Sequence, residues 1–168
     1  SLEISDYKIL FNLRKKKNFT KYLNKISRNP LDQKVFIKNE INKKNFLFGI
    51  YNYKKKFLGT ISLYNISKKK ESEWGRWICI GNQKQSLESI VLILNFGYEH
   101  LNLVKIFSRT LSENLKVINI HNRLGFKMKG ENFNDFFIKK KYHNSIVHVS
   151  EKKNYKKIIK NINKIINF

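Results

Sequence analysis

The sequence predicts an α+β domain in which a mixed, mostly antiparallel and strongly twisted sheet carries helices on both faces. Three observations predict it. Apolar residues recur at helical spacing up to about residue 43, switch to short β-branched and aromatic runs over residues 46–80, and return to helical spacing after residue 86. Two of the short runs are separated by a polar stretch, residues 52–56, which is a hairpin pattern. The helix after residue 86 is long enough to be a right-handed crossover between two parallel strands, one ending at Ile80 and one starting near Val104.

The elements follow in order. Residues 5 to about 13 read as a short helix with Ser5 as N-cap, and a basic stretch then runs through Phe19, Tyr22, Leu23 and Ile26. Asn29-Pro30 reads as an N-cap followed by proline at the first helical position, opening a helix with Leu31, Val35 and Ile41 on its apolar side and ending near Lys43. Strands are expected over residues 46–51, 57–64 and 72–80. Ser86 is the expected cap of the strongest helix, whose Leu87, Ile90, Val91, Leu94, Tyr98 and Leu101 fall on one face. A strand over 104–110 precedes a helix capped by Asn114, with Val117, Ile120, His121 and Leu124 on one side and Gly125 at the C′ position. Short strands are expected over 126–129, 136–139 and 146–149. The tail, residues 153–168, is a basic amphipathic helix carrying Ile158, Ile159, Ile162, Ile165 and Ile166; it either packs on its own domain or lies on a membrane surface.

All 168 residues fit one domain, and 41% hydrophobic with 14% aromatic residues marks a folded chain. No run approaches the roughly 20 apolar residues of a membrane span. The start shows no signal-peptide pattern, and Ser1 is not expected to be a native start because Met128 is the only methionine. The single cysteine, Cys79, excludes an intramolecular disulfide and fits a reducing, cytoplasmic setting. Thirty-five Lys and Arg against 12 Asp and Glu give a net charge of +23, which points first to nucleic acid. The chain also has no alanine and a great excess of Lys, Asn, Ile and Phe, a bias toward A/T-rich codons that accounts for surface lysine without a nucleic-acid partner.

The chemistry is expected between Glu73 and Phe126. The turn Gly81-Asn82-Gln83-Lys84-Gln85-Ser86 joins a strand end to a helix N-terminus, where unpaired N–H groups favour an anion, phosphate above all. An ordinary strand–helix turn reads the same way. Trp74 and Trp77 are candidates for stacking on a base or sugar, or for the core. His143 and His148 have no ligand spacing with each other or with Cys79, so no metal site is expected.

Trp74-Gly75-Arg76-Trp77-Ile78, the turn, the helix ending in Tyr98-Glu99-His100-Leu101-Asn102-Leu103-Val104-Lys105, then Ser112-Glu113-Asn114 and Arg123-Leu124-Gly125-Phe126 together resemble the GCN5-related N-acetyltransferases (GNAT). The resemblance covers about residues 46–149. It is nearest the branch of ribosomal-protein N-terminal and sugar-nucleotide acetyltransferases. Leu13-Arg14, Tyr22-Leu23 and Leu31-Asp32-Gln33 through Ile37 resemble the start of the enzymes that acetylate amino-sugar nucleotides for pseudaminic acid and related surface glycans.

The resemblance implies a GNAT-like fold and acetyl-CoA as co-substrate. The backbone of Ile78, Cys79 and Ile80 would pair with the pantetheine arm, in the splay between two parallel strands. Gly81, Asn82, Gln83, Lys84, Gln85 and Ser86 would hold the pyrophosphate. Asn114 would contact the coenzyme or cap the helix beside it. The family's glycine positions in this loop fall on Lys84 and Ser86, and the position of its usual tyrosine, the proposed acid for the departing thiolate, is His121. Histidine can do the same work; a core histidine on the stripe Val117–His121–Leu124 is the alternative. Glu73 is the candidate base that makes the amine neutral, with Glu71 on the same strand face. The expected function is acetylation of a primary amine, foremost a nucleotide-linked amino sugar. The alternatives are a protein N-terminus, or a non-catalytic basic module contacting RNA through Lys, Arg and aromatic residues.

Overall fold

The computed structural model describes residues 1–16, 22 and 27–167. The expected stretch through Phe19, Leu23 and Ile26 lies outside the described residues. A six-stranded sheet in the order β1-β2-β3-β4-β6-β5 organises the chain. Its strands are β1 (Phe46–Tyr51), β2 (Phe57–Tyr64), β3 (Glu71–Cys79), β4 (Lys105–Leu111), β5 (Lys127–Ile138) and β6 (Lys141–Glu151). Only β3 and β4 run parallel; the other neighbours are antiparallel. Helix α3 (Gln83–Asn95) and a π-helical turn (Phe96–His100) form the expected crossover between β3 and β4.

The remaining helices are α1 (Tyr7–Arg14), α2 (Leu31–Asn42), α4 (Leu115–Leu124) and α5 (Tyr155–Ile166). One face of the sheet carries the main core: Ile61 and Leu63 of β2 and Trp74 of β3 pack with Ile90, Ile93 and Leu94 of α3 and Ile158 and Ile162 of α5. The opposite face carries a smaller cluster, Leu2, Leu10, Ile37 and Leu47, under α1 and α2. The isoleucines of α5 are therefore directed at the domain's own core.

Several boundaries differ from the sequence expectation, each for a local reason. Ser5 lies inside a 3-10 turn, Ile4–Asp6, so α1 starts at Tyr7. Asn29 does accept from the Leu31 N–H at 3.0 Å, with α2 starting one residue after Pro30. Ser86 is not the cap of α3. Asn82 is: its side chain accepts from Gln85 N–H at 2.9 Å while Gln85 Oε1 accepts from Asn82 N–H at 3.0 Å. This reciprocal capping box outcompetes a serine already one turn into the helix. Gly125 takes the expected left-handed C′ position, φ 91°. The three short C-terminal strands are in fact one long hairpin, β5–β6, turning at Lys139-Lys140, both left-handed. Residues 127–134 of β5 are all exposed, so neither face needs to be apolar and the two-residue alternation is absent.

Gly59 lets β2 approach β3. A Cβ there would fall inside the van der Waals envelope of the Ile78 carbonyl oxygen. Gly59→Ala is expected to lower the unfolding free energy by about 3 kcal/mol, because backbone rather than a pliable side chain must yield. A drop in the urea midpoint at constant m-value checks it.

Candidate active site

β3 and β4 are joined by only three register pairs, Glu71↔Lys105, Ser72↔Ile106 and Glu73↔Phe107, and then part. The parting coincides with a bulge. On the other edge of β3 the register with β2 jumps from Ser62↔Gly75 to Thr60↔Ile78, one residue longer on β3. Arg76 sits in it with φ 50°, a strained value for a side-chain-bearing residue, and Thr60 Oγ1 donates to its carbonyl at 3.1 Å. The extra residue puts Trp74 and Trp77 on one face despite their spacing of three. Trp74 is core, and Trp77 Nε1 donates to Ser89 Oγ of α3 at 3.1 Å. The Trp74 ring is thus not available to stack on a base or sugar, while Trp77 packs against the core and stays half-buried.

Beyond the bulge, Ile78 and Cys79 pair with Thr60 and Gly59, and Ile80 N–H donates to Leu58 O at 2.8 Å. Their other edge faces the gap toward β4, so it presents main-chain groups without a strand opposite. That is the edge an extended amide-bearing arm would extend. The chain then passes Gly81 and Asn82 into α3. The capping box occupies the N–H groups of Asn82 and Gln85, which leaves the first-turn N–H groups of Gln83 and Lys84 without intrahelical acceptors. Lys84 and Ser86 are helical rather than left-handed, so their Cβ atoms carry no backbone strain. Asn114 precedes α4, and its side chain makes no capping bond; its carbonyl accepts from Val117 and Ile118 N–H.

His121 projects from α4 to the underside of the parting. Its ring is 5.2 Å from Trp74 and 5.2 Å from Phe126, and its Nδ1 lies 3.4 Å from Ser108 Oγ. Trp74 and Ser108 are the first residues past the last parallel pair. His121 is 1% exposed, and its Nε2 is buried without a partner. Burial, with a contribution from His148, pushes its imidazole down to about 3, so the ring is neutral at ordinary pH. His148, 4.9 Å away ring to ring, is lowered by burial as well and meets Asn122 Oδ1 at 2.9 Å.

On the opposite face, Glu73 is 2% exposed and fully engaged. Oε1 accepts from Tyr64 Oη at 2.9 Å and Arg109 Nε at 3.1 Å; Oε2 accepts from Arg109 Nη2 at 3.0 Å and Asn65 Nδ2 at 3.4 Å. Arg109 also donates to Asp135 Oδ1 at 2.8 Å, and Ser145 Oγ donates to Asp135 Oδ2. These carboxylates hold Arg109 firmly protonated, its hydrogen bond to Glu73 foremost. Glu71 is bound to Lys105 Nζ at 2.6 Å. Gly75 leaves room for the Tyr64 hydroxyl, which a Cβ would meet at 2.8 Å, and the Arg76 guanidinium lies 4.2 Å above the Tyr64 ring while pairing with Glu40 of α2.

Thus the structure brings His121 and the β3 edge together at the parting, and Glu73 at its vertex. Tyr64, Arg76 and Arg109 were given no role by the sequence reading. A charged Arg109 in the interior of a strand, between Ile106 and Leu111, was the available signal. An open groove of about 850 Å³ lies between the end of α3 and α5, lined by Asn95, Tyr155 and Lys160 among others. It is ~20 Å along α3 from the helix N-terminus. Among the described residues no three His, Cys, Asp or Glu gather as metal ligands, and no helix is long and apolar enough to cross a membrane.

Comparison with known proteins gives a consistent family. The model of the acetyltransferase (GNAT) domain matches residues 1–127. A 55-residue stretch is 40% identical to the spermidine N(1)-acetyltransferase of Escherichia coli K12; it spans 33% of this chain and only 30% of that protein. A chimera of the Vibrio cholerae spermidine N-acetyltransferase SpeG and hSSAT superposes with a TM-score of 0.80 at 21% identity, covering 92% of this chain and 95% of the other. A V. cholerae spermidine N-acetyltransferase described as dodecameric gives 0.75 at 20% identity, covering 92% of each. At such identities the superpositions establish the fold. The named relatives are polyamine acetyltransferases, not specifically the sugar-nucleotide or ribosomal-protein branch that the motifs resemble.

The buried neutral His121 makes stability acid-sensitive. Its native value is about 3 against an unfolded value of about 6.5, so between these the unfolded chain binds a proton that the native chain refuses. Stability is therefore lost as pH falls through that window, and His121 contributes nothing above it. His121→Gln is expected to flatten the slope by up to about 1.4 kcal/mol per pH unit. Urea midpoints between pH 7 and pH 4 measure it.

Proposed function

From a chain that belongs to the acetyltransferase (GNAT) domain family, we propose an acetyl-CoA-dependent N-acetyltransferase acting on the primary amine of a small molecule. The observation that carries this reading is the open main-chain edge of β3 leading directly into the N-terminus of α3. Acetyl-CoA, when bound, supplies a thioester whose acetyl group the amine takes up while the thiol departs. Ile78, Cys79 and Ile80 would hold its pantetheine amides. Gly81 and Asn82 with the first turn, Gln83, Lys84, Gln85 and Ser86, would hold its pyrophosphate, with the Lys84 charge in support. Asn114, its side chain not used for capping, would contact the arm.

The proton lost by the amine nitrogen must finally reach the leaving sulfur. His121 suits that transfer as a neutral ring that accepts at one nitrogen and releases at the other, rather than as a stored imidazolium. Glu73 would take the earlier proton, the one the ammonium form of the acceptor must lose before it can attack, through the Tyr64 hydroxyl that it already accepts from. An N–H on the open β3 edge would donate to the thioester oxygen as it gathers charge.

Two acceptor classes have specific support. The stretch shared with an enzyme named for spermidine favours a polyamine. The geometry favours a nucleotide-linked amino sugar. A polyamine needs unpaired carboxylates, yet Glu40, Glu73 and Asp135 around the vertex are each already paired with Arg76 or Arg109.

Calorimetric titration of acetyl-CoA at moderate salt is expected to show saturable binding near one per chain; no binding overturns the transferase reading. Thiol release with spermidine, a uridine-diphosphate amino sugar and an N-terminal peptide is expected to give the highest kcat/KM with the sugar nucleotide. His121→Ala is expected to lower kcat about 100-fold or more with acetyl-CoA affinity retained. An unchanged kcat would return His121 to a packing role.

A further inference from the structure

Arg14 at the end of α1 is a guanidinium with too few partners. It is largely enclosed, its Nε is buried without an acceptor, and its one hydrogen bond among the described residues is a long 3.4 Å contact from Nη1 to Gln33 Oε1. It lies over the Phe36 ring at 5.9 Å, and Arg76 lies over the same ring at 5.2 Å. Two positive charges thus lie within 6 Å of the centre of one aromatic ring. The single carboxylate beside them, Glu40, is taken by Arg76 and by Asn45 Nδ2 at 2.8 Å. Among the described residues no other acid pairs with either arginine. Residues 15–31 contain neither Asp nor Glu, so that stretch cannot supply one.

Enclosing a guanidinium without a counter-ion is costly, and proteins normally avoid it. Burial first, and the charge of Arg76 second, hold the Arg14 guanidinium below its usual range. An oxyanion bound there would remove both penalties. The guanidinium fork matches the oxygens of a phosphate or a carboxylate bidentately. Arg76 sits on the β3 bulge two residues before Ile78, so the pair borders the transfer site.

We propose that Arg14 and Arg76 form an oxyanion subsite that takes the phosphate or carboxylate carried by the acceptor. This rests on the acetyl-transfer reading and deepens it: the acceptor is an amine bearing an anionic group, and an uncharged or purely cationic polyamine leaves the subsite empty.

The test titrates uridine diphosphate and, separately, succinate into the full chain saturated with coenzyme A, whose own phosphates then occupy the α3 site. At least one probe is expected to bind, the diphosphate indicating a phosphate-bearing acceptor and succinate a carboxylate-bearing one. Arg14→Gln is expected to weaken that probe about tenfold or more, the scale of one lost charge-assisted hydrogen bond, with coenzyme A affinity unchanged. Arg14→Lys keeps the charge but not the fork, and is expected to bind with intermediate affinity. In turnover, Arg14→Gln is expected to raise KM for the anionic acceptor without lowering kcat. Failure of both probes to bind the wild type, or equal binding by wild type and both variants, overturns the subsite. Absent coenzyme A binding with probe binding still lost in Arg14→Gln would overturn the transferase reading alone.

Discussion

The bidentate ion pair between Arg109 and Glu73 ties β4 to β3 at the last rung before the strands part. Everything at the site is arranged around that vertex. On one side of the sheet the pair gathers Tyr64, Asn65 and Asp135. On the other, Trp74 and Ser108, the next residues along each strand, receive His121. A buried ion pair of this kind is weak support for net stability, since desolvation offsets much of the attraction. Its contribution is geometric: with both Glu73 oxygens engaged by donors from three positions, the vertex has one arrangement.

The bulge at Arg76 turns that vertex into an opening. A regular strand would have continued the parallel ladder with β4 and closed the gap. The added residue redirects β3 toward β2, which Gly59 allows to come close, and it turns Arg76 toward α2. The same distortion thus leaves a main-chain edge of β3 open and turns a guanidinium toward the Glu40 carboxylate. Strain at one left-handed residue, of order 1–3 kcal/mol, is tolerated because Glu40, the Tyr64 ring and the Thr60 hydroxyl all fix the conformation.

The net charge of +23 bears on function less than its size suggests. Lys44, Lys55, Lys70 and Lys140 occupy left-handed turn positions and are exposed. The few enclosed arginines differ from these lysines in how far carboxylates match them. Arg109 is fully matched by carboxylates, Arg76 is matched by one, and Arg14 by none among the described residues.

The sequence by itself determined what depends on neighbours a few residues apart. The 3.6-residue pattern of α3, the β1–β2 hairpin, the glycine after α4 and the crossover length that makes β3 and β4 parallel were all legible, and with them the fold class. His121 could be placed by its spacing from Gly125, and the strand–helix turn by its position. Only the tertiary structure decided whether those residues meet usable surroundings. The capping box moved the start of α3 to Asn82 because a reciprocal side-chain bond outweighs a single serine. The long β5–β6 hairpin was hidden because a strand exposed on both faces has no apolar alternation. The roles of Glu73, Arg109, Arg76 and Arg14 depend on partners tens of residues away in the chain. Charge pairing across a sheet leaves no periodic trace, so the balance of carboxylates and arginines around the vertex emerges only when the strands and helices are brought together.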